Sequence, residues 1–325
     1  MSNGHNSVLL QETIAALRPV PGGVYLDATF GDGGHALSLL QAALPGGRVV
    51  ALDRDPEAVA RGQRLAGETE GGLTVRQARF GMLQEVLAEE RLTGRVDGIV
   101  FDIGVSSRHV DTPERGFSFR LDGPLDMRMD QTTAAPTAAD LVNRMPAEAL
   151  TELFLRFGEE RFARRAARAI ADSRRNAPFA TTRELATLLE RVIPGDGRIH
   201  PATRIFQALR IAVNEELTEL SSGLAAAMEA MAPQGRIAVI TFHSLEDRIV
   251  KQTFRKAALP PPTPTGPAAW LPATREPFRP RFALDPARPI LPGEEEIRRN
   301  PRARSAKLRV LRALAPDPLL KGRTA

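Results

Sequence analysis

Two stretches concentrate the residue types that could do chemistry. The first is DATFGDGGH (27–35). Its glycines let backbone approach a ligand closely where a helix begins and its first N–H groups point outward. Asp53 closes the next apolar run, RVVALD (48–53), where a carboxylate can accept hydrogen bonds from both hydroxyls of a ribose. Gly31 and Gly33, with Ala36 three residues on and Asp53 about 20 residues on, also fit the dinucleotide fingerprint, so an NAD-dependent oxidoreductase is one candidate. Asp27 points the other way. It lies four residues before Gly31, where a pyrophosphate would meet a like charge. S-adenosylmethionine has no phosphate and carries an ammonium and a sulfonium, so acid is tolerated there. Both cofactor classes stay open on this stretch alone.

The second stretch is RGFSFRLDGPLDMRMD (115–130). It mixes Arg115, Arg120 and Arg128 with Asp122, Asp126 and Asp130, two Phe and two Met, around a central Gly-Pro. Neither a helical nor a strand period fits it. It is expected to form the lip of a substrate pocket. The arginines would meet phosphates, and Asp126 would accept from an exocyclic amine. A structural alternative is that its Phe and Met side chains cement neighbouring elements. The expectation is a division of labour, with aromatics mostly structural and polar groups mostly functional.

The elements that must position these residues follow from hydrophobic pattern. VYLDAT (24–29), RVVALD (48–53), LTVRQA (73–78) and GIVFDI (98–103) read as buried strands. Helical patterns separate them at 36–43, 56–65 and 82–92. This alternation predicts a parallel sheet with helices on both faces. It stops after residue 103 and resumes at RIAVITF (236–242). The interval is expected to be an all-helical domain inserted after the fourth strand. It includes a helix entered near Pro146 with Leu150, Leu153, Phe154 and Phe157 on one stripe. A capping box, TTRE (181–184), opens another helix. One long helix over about 203–231 should carry the chain back. The expected boundaries are 1–112 and 211–325 for the sheet domain and 113–210 for the insert. Residues 259–292 are rich in proline and read as a long mobile loop; KLRVLRAL (307–314) reads as a closing strand. Phe80, just past the third strand, either packs on an adenine or is an ordinary core residue.

Composition bounds the function. The chain has 325 residues, 42% hydrophobic, with no cysteine and a net charge of +5. Disulfides and thiolate metal sites are excluded. No apolar run is long enough for a membrane span, and no secretory leader is visible; a cytoplasmic location is expected. From His243 onward, 17 Lys and Arg face 8 Asp and Glu, a local charge of +9. Such asymmetry suggests a polyanionic partner, although an arginine-rich solvated surface would look the same.

The blocks GHNSVLLQE (4–12), DATFGDGGH (27–35), ALDRDPEAV (51–59), FDIGVSS (101–107), RGFSFRLDGPLDMRMD (115–130), GEERFARRAARAI (158–170), HPATRIFQALRIAVNEEL (200–217), ITFHSLEDRIVK (240–251) and NPRARSAKLRV (300–310) run in order along the chain. Through them the sequence resembles the bacterial small-subunit (16S) ribosomal RNA methyltransferases that modify the N4 amine of a cytosine in the decoding region. The glycine turn is likewise close to the D/E-x-G-x-G-x-G turn of Rossmann-like methyltransferases, with Thr29 for one glycine. The resemblance implies a class I methyltransferase sheet with the helical insert serving substrate recognition. It implies S-adenosylmethionine as cofactor, S-adenosylhomocysteine as product, and ribosomal RNA or an assembling small subunit as partner. It carries cofactor contacts to Gly33, Gly34, His35, Asp53, Phe80, Asp102 and His109. At 108–109 relatives have Pro-Gln where this chain has Arg108-His109; a histidine there can still hydrogen-bond. Some relatives have cysteines before the final strands, where this chain has prolines, and no metal is expected. The five histidines do not change this, since no pair has ligand spacing on a helix face.

The implied reaction is an in-line displacement at the sulfonium methyl by a weakly nucleophilic amine. Orientation would supply much of the acceleration, and the target base must leave its stack. The Pro-Pro-aromatic turn that many amino-methyltransferases place after the fourth strand is replaced here by DIGVSS (102–107). No proton acceptor is assigned; the candidates are Asp102, Asp126 and His243. Further candidate substrate contacts are Arg204 and Asn214 on the returning helix, His243 and Ser244 after the fifth strand, and Arg302 and Arg304 for the RNA backbone. A non-catalytic RNA-binding or assembly protein remains a second alternative, and the oligomeric state stays open.

Overall fold

The structure is a computed structural model that describes residues 7–195, 197, 199–260 and 278–315. It is a Rossmann-like α/β fold. Seven strands form one sheet: β1 (Val24–Asp27), β2 (Arg48–Asp53), β3 (Leu73–Gln77), β4 (Val96–Asp102), β5 (Met231–Thr241), β6 (Phe282–Leu284) and β7 (Lys307–Ala313). Their order is β3-β2-β1-β4-β5-β7-β6. β3 through β5 are parallel; β7 runs antiparallel to both β5 and β6.

The strands are apolar on both sides because both faces are covered. Successive residues point to opposite faces, so Val50, Leu52, Ile99 and Phe101 enter one core layer while Val49, Ala51 and Val100 enter the other. All seven are fully buried. Each large side chain of this kind contributes about 1.5–3 kcal/mol relative to exposure. Helices α1 (Leu10–Leu17), α2 (Gly34–Ala42), α3 (Pro56–Ala66) and α4 (Leu83–Glu89) belong to this half of the chain. The start of α3 shows how sequence places them: Asp55 accepts from Glu57 N at 3.0 Å and Pro56 occupies the first turn.

The chain divides into two compact units, residues 1–104 with 219–325, and residues 105–218. The sequence boundaries at 113 and 210 both fall inside the second unit. That unit contains α5 (Ser107–Asp111), α6 (Ala138–Arg144), α7 (Ala147–Gly158), α8 (Ala163–Ser173), α9 (Thr182–Val192) and α10 (Thr203–Asn214) around their own core. Gly158 lets α7 and α10 touch, since a Cβ there would lie 2.6 Å from the Arg204 carbonyl oxygen. The capping box at Thr181 and Glu184 forms as its sequence predicts.

Three local expectations are corrected. The single helix expected over 203–231 is two, α10 and α11 (Glu216–Ala230), because Glu215 turns into the left-handed region at φ 54°. β5 begins at Met231 rather than 236, irregularly paired with β4 near Val96. The proline-rich stretch contains β6; its residues 261–277 lie outside the described residues. Two more helices, α12 (Ser244–Ala258) and α13 (Glu294–Arg299), complete the first unit. Among the described residues no helix is long and apolar enough to cross a membrane.

Candidate active site

The winding of the sheet reverses between β1 and β4, the place where open α/β sheets bind ligands beyond the carboxyl ends of their strands. Asp27 ends β1, Asp53 ends β2 and Asp102 ends β4. Thr29 links two of these ends: its backbone N–H donates to Asp27 Oδ1 at 3.0 Å, and its hydroxyl accepts from Asp102 N at 2.7 Å. The glycine turn then swings into α2. Gly31 and Gly33 take φ of 56° and 85°, conformations that disfavour side chains. Gly34 has no room for a Cβ, which would sit 2.1 Å from Ser7 Oγ.

His35, in the first turn of α2, is 3% exposed, and its Nε2 lies 3.4 Å from Asp102 Oδ2 without hydrogen-bond geometry. Asp27 is fully buried. Asp27 Oδ2, Asp102 Oδ1 and both ring nitrogens of His35 are buried without a hydrogen-bond partner. Leaving one such group unpaired costs about 1–3 kcal/mol, so four in one cluster mark a place kept for function. Burial pushes the Asp27 carboxyl up to about 6, against the opposing pull of His35 and the Thr29 N–H. Burial works to lower the pKa of His35, but the Asp102 contact and the charges of Asp102 and Asp27 outweigh it, and the pKa is raised. Two carboxyls and one imidazole, with buried atoms left unpaired and Asp102 open in part to solvent, suit a cationic ligand.

Asp53 has a second task that its sequence position does not reveal. Its Oδ2 accepts from Gly31 N at 2.8 Å and its Oδ1 from Asp55 N at 2.9 Å. It therefore shapes the glycine turn from the end of β2, beside the place where a ribose would lie. Phe80 is half-buried at the start of a 3₁₀ turn after β3, edge-on to Phe101 at 6.0 Å. Glu219 fixes that turn by accepting from Gly81 N at 2.9 Å. The structure thus brings Gly33, Gly34, His35, Asp53, Phe80 and Asp102 to the carboxyl ends of β1–β4. His243 and Ser244 follow β5 at the start of α12. The His243 ring caps that helix, with its Nε2 2.9 Å from Oε1 of the fully buried Glu246. Arg302 and Arg304 are exposed on a short turn before β7.

The helical unit holds the remaining candidates, and most are engaged within it. His109 closes a capping box with Ser106 at the start of α5 and packs on Phe117 at 5.0 Å. Arg115, 5% exposed, donates to the Met129 carbonyl at 2.6 Å. A guanidinium enclosed by its own loop's carbonyls is placed for structure rather than for phosphate. Asp126 is gripped by Arg128 through two side-chain contacts of 2.8 and 2.7 Å and a third from Arg128 N at 2.9 Å. Partial burial opposes ionisation of Asp126, but Arg128 more than offsets it and the carboxyl is held below its usual range. Asn214, 1% exposed, accepts from Met129 N at 2.9 Å and donates to the Met127 carbonyl at 2.8 Å. Arg204 donates to the Glu159 carbonyl at the end of α7. Arg120 is exposed. Phe119 stacks on His200 at 4.3 Å and meets Phe206 edge-on, as expected of a structural aromatic.

Sequence patterns at Asp27 and Glu246 pointed only part of the way. Asp27 entered as a sign against pyrophosphate, not as a member of the buried cluster. Glu246 lies three residues after His243, the capping-box spacing, which was the available signal.

The MraW methylase family matches residues 2–314. A ribosomal RNA small subunit methyltransferase H from Magnetococcus marinus is 51% identical over 97% of this chain and 100% of that protein. The protein of the same name from Beijerinckia indica is 54% identical over 96% of this chain and 86% of its own length. That from Thermomicrobium roseum is 49% identical over 98% and 96% respectively. With half its residues shared along nearly the whole of these relatives, the chain belongs to the MraW methylase family.

Proposed function

We propose that this protein transfers the methyl group of S-adenosylmethionine to the exocyclic N4 amine of a cytidine in the decoding region of small-subunit ribosomal RNA. The observation that carries the proposal is the buried, incompletely paired cluster of Asp27, His35 and Asp102 beside a glycine turn. Bound there, the cofactor supplies an electrophilic methyl group. Asp53 takes the ribose hydroxyls, Gly33 and Gly34 admit the ligand against backbone, and Phe80 covers the adenine. Asp27 and Asp102 lower the cost of enclosing positive charge, and His35 tunes how much negative charge they present.

Asp102 is the candidate acceptor for the amine, because its Oδ1 has no hydrogen bond within the protein. Asp126 is unsuited to that role while Arg128 holds it. The dinucleotide alternative fares worse, since a pyrophosphate beside Asp27 would meet a buried acid. The substrate is ribosomal RNA or an assembling small subunit, and the enzyme works in the cytoplasm. The test is transfer of radiolabel from S-adenosylmethionine to 16S RNA, with mass mapping of the decoding-region cytidine in cells with and without the protein. Methylation of that cytidine in cells without the protein would overturn the assignment. A protein that binds the cofactor and RNA yet transfers no label would instead favour an assembly role.

A further inference from the structure

The surface of the helical unit carries one charge pattern that its fold does not explain. Arg161, Arg164, Arg165 and Arg168 are all exposed. The spacing of Arg164, Arg165 and Arg168 places them on one face of α8, opposite Ala163, Ala166, Ala167 and Ile170, which are buried; Arg161 lies two residues before the helix. None of the four has an acidic partner among the described residues. Three other exposed arginines of this unit are ion-paired. Arg144 pairs with Asp140 at 3.2 Å, Arg175 with Asp172 at 2.5 Å, and Arg183 with Asp122 at 3.7 Å.

Electrostatically the stripe opposes its own helix. Like charges three or four residues apart repel, at roughly 0.2–0.5 kcal/mol per pair. The cations also sit toward the helix's N-terminal half, where the macrodipole favours acid. A feature that weakens the fold in two ways needs a compensating role. At its N-terminal end the stripe leads into a small cavity, whose lining includes Glu160, Arg161, Phe162, His200 and Arg204. There the Arg161 guanidinium lies 4.7 Å from the Phe162 ring centre. Cations in a row suit a chain of phosphates, and the cleft at their end offers an aromatic ring to a base; its Glu160 carboxylate is turned to the Phe162 N–H and its His200 to Glu190.

We propose that the arginine face of α8 is a track for the RNA backbone, binding phosphates without regard to sequence. The proposal rests on the RNA-methyltransferase function above. It adds which face of the helical unit meets the nucleic acid, and that this face reads the backbone rather than the bases.

The test compares wild type with two triple variants of the full-length protein. Arg164→Gln, Arg165→Gln and Arg168→Gln remove the stripe; glutamine keeps helix propensity close to that of arginine. Arg144→Gln, Arg175→Gln and Arg183→Gln remove the same charge from ion-paired positions of the same unit. Binding is measured by fluorescence anisotropy across a salt series, with a decoding-region RNA and an unrelated RNA of equal length. The stripe variant should bind both at least tenfold more weakly at low salt. Its log–log salt slope should be shallower by about two units, from roughly 0.7 per phosphate contact on single strands. The ion-paired variant should stay within about threefold of wild type, since its charges are already neutralised by neighbours. Thermal melting should show the stripe variant at least as stable as wild type, because repulsion is relieved. An unchanged slope in the stripe variant, or an equal loss in both variants, overturns the proposal. Methyl transfer by wild type to the same RNA and to assembling small subunits is scored in parallel. Its absence alongside a stripe effect would sink the enzymatic assignment and leave the track standing.

Discussion

The turn at 27–35 and the segment at 115–130 are equally dense in residues that could do chemistry, and the structure uses them in opposite ways. In the first, buried polar atoms of Asp27, His35 and Asp102 have no hydrogen-bond partners. In the second, Arg128 grips Asp126, Arg115 donates to the segment's own carbonyl, and Asn214 of α10 bonds the backbone of Met127 and Met129. Leu125 and Met127 lie in the core of the helical unit, and backbone bonds tie Leu125 to Ala180 and Gly123 to Thr182. The segment is a hub around which helices are fastened. Chemical residue types therefore do not mark a site by abundance. What marks it is hydrogen-bonding capacity left open where burial makes that costly.

The contrast can be broken by substitution, since the two regions should respond with opposite signs. Asn214→Ala should have the largest effect. Two backbone groups of the hub would lose their partner in a buried setting, each at about 1–3 kcal/mol. Chemical denaturation should show a stability loss of about 3–5 kcal/mol once the side chain's own burial is included, with affinity for S-adenosylmethionine unchanged.

Asp27→Asn should act the other way. The folded carboxyl titrates near 6 against about 3.9 unfolded. The folded state therefore binds the extra proton between these values, and the contribution of Asp27 to stability falls as pH rises from about 4 to 6. The amide removes that decline, so the ligand-free variant should be more stable at pH 7, by up to about 3 kcal/mol at 1.36 kcal/mol per unit. The raised pKa of His35 adds a separate stabilisation, present in full below about 6.5 and lost as pH climbs through its folded value. A wild-type protein whose melting temperature rises from pH 4 to 6, when the variant's does not, would contradict the assignment for Asp27.

Asp53→Ala should weaken cofactor binding by one to two powers of ten, from charge-assisted bonds of about 1.5–3 kcal/mol. Because Gly31 N–H also loses its acceptor, a small drop in melting temperature should accompany it. Asp126→Asn should be the mildest, costing about 1–2 kcal/mol as the Arg128 pair weakens. Since Arg128 holds the Asp126 carboxyl low, its stabilisation is present above about 3.9 and lost as pH falls through the folded value. Unchanged stability with a lost turnover would return Asp126 to the chemistry.

The sheet was legible because parallel strands buried on both faces read as unbroken apolar runs, as in RVVALD and GIVFDI. The glycine turn and Asp53 were legible because close approach demands particular residues at particular spacings. The break at Glu215 was not, since a non-glycine residue turning left-handed leaves no signature in its type. β6 has three residues and sits among prolines. His243 serves as an N-cap outside the usual Ser, Thr, Asp and Asn vocabulary, and His109 takes the N3 place of a capping box that Glu or Gln usually fills. The segment at 115–130 was legible as unusual but not as structural, because an arginine aimed at its own carbonyls is written with the same letter as one aimed at phosphate.

Calorimetric titration of wild type and Asp27→Asn with S-adenosylmethionine, beside NAD as a control, tests the central claim most directly. Wild type should bind S-adenosylmethionine and ignore NAD. The variant should lose at least tenfold in affinity, although its ligand-free form is the more stable one. Equal affinity in the two proteins would detach the buried acid from the cofactor. Wild-type binding of NAD without S-adenosylmethionine would contradict the methyltransferase site altogether.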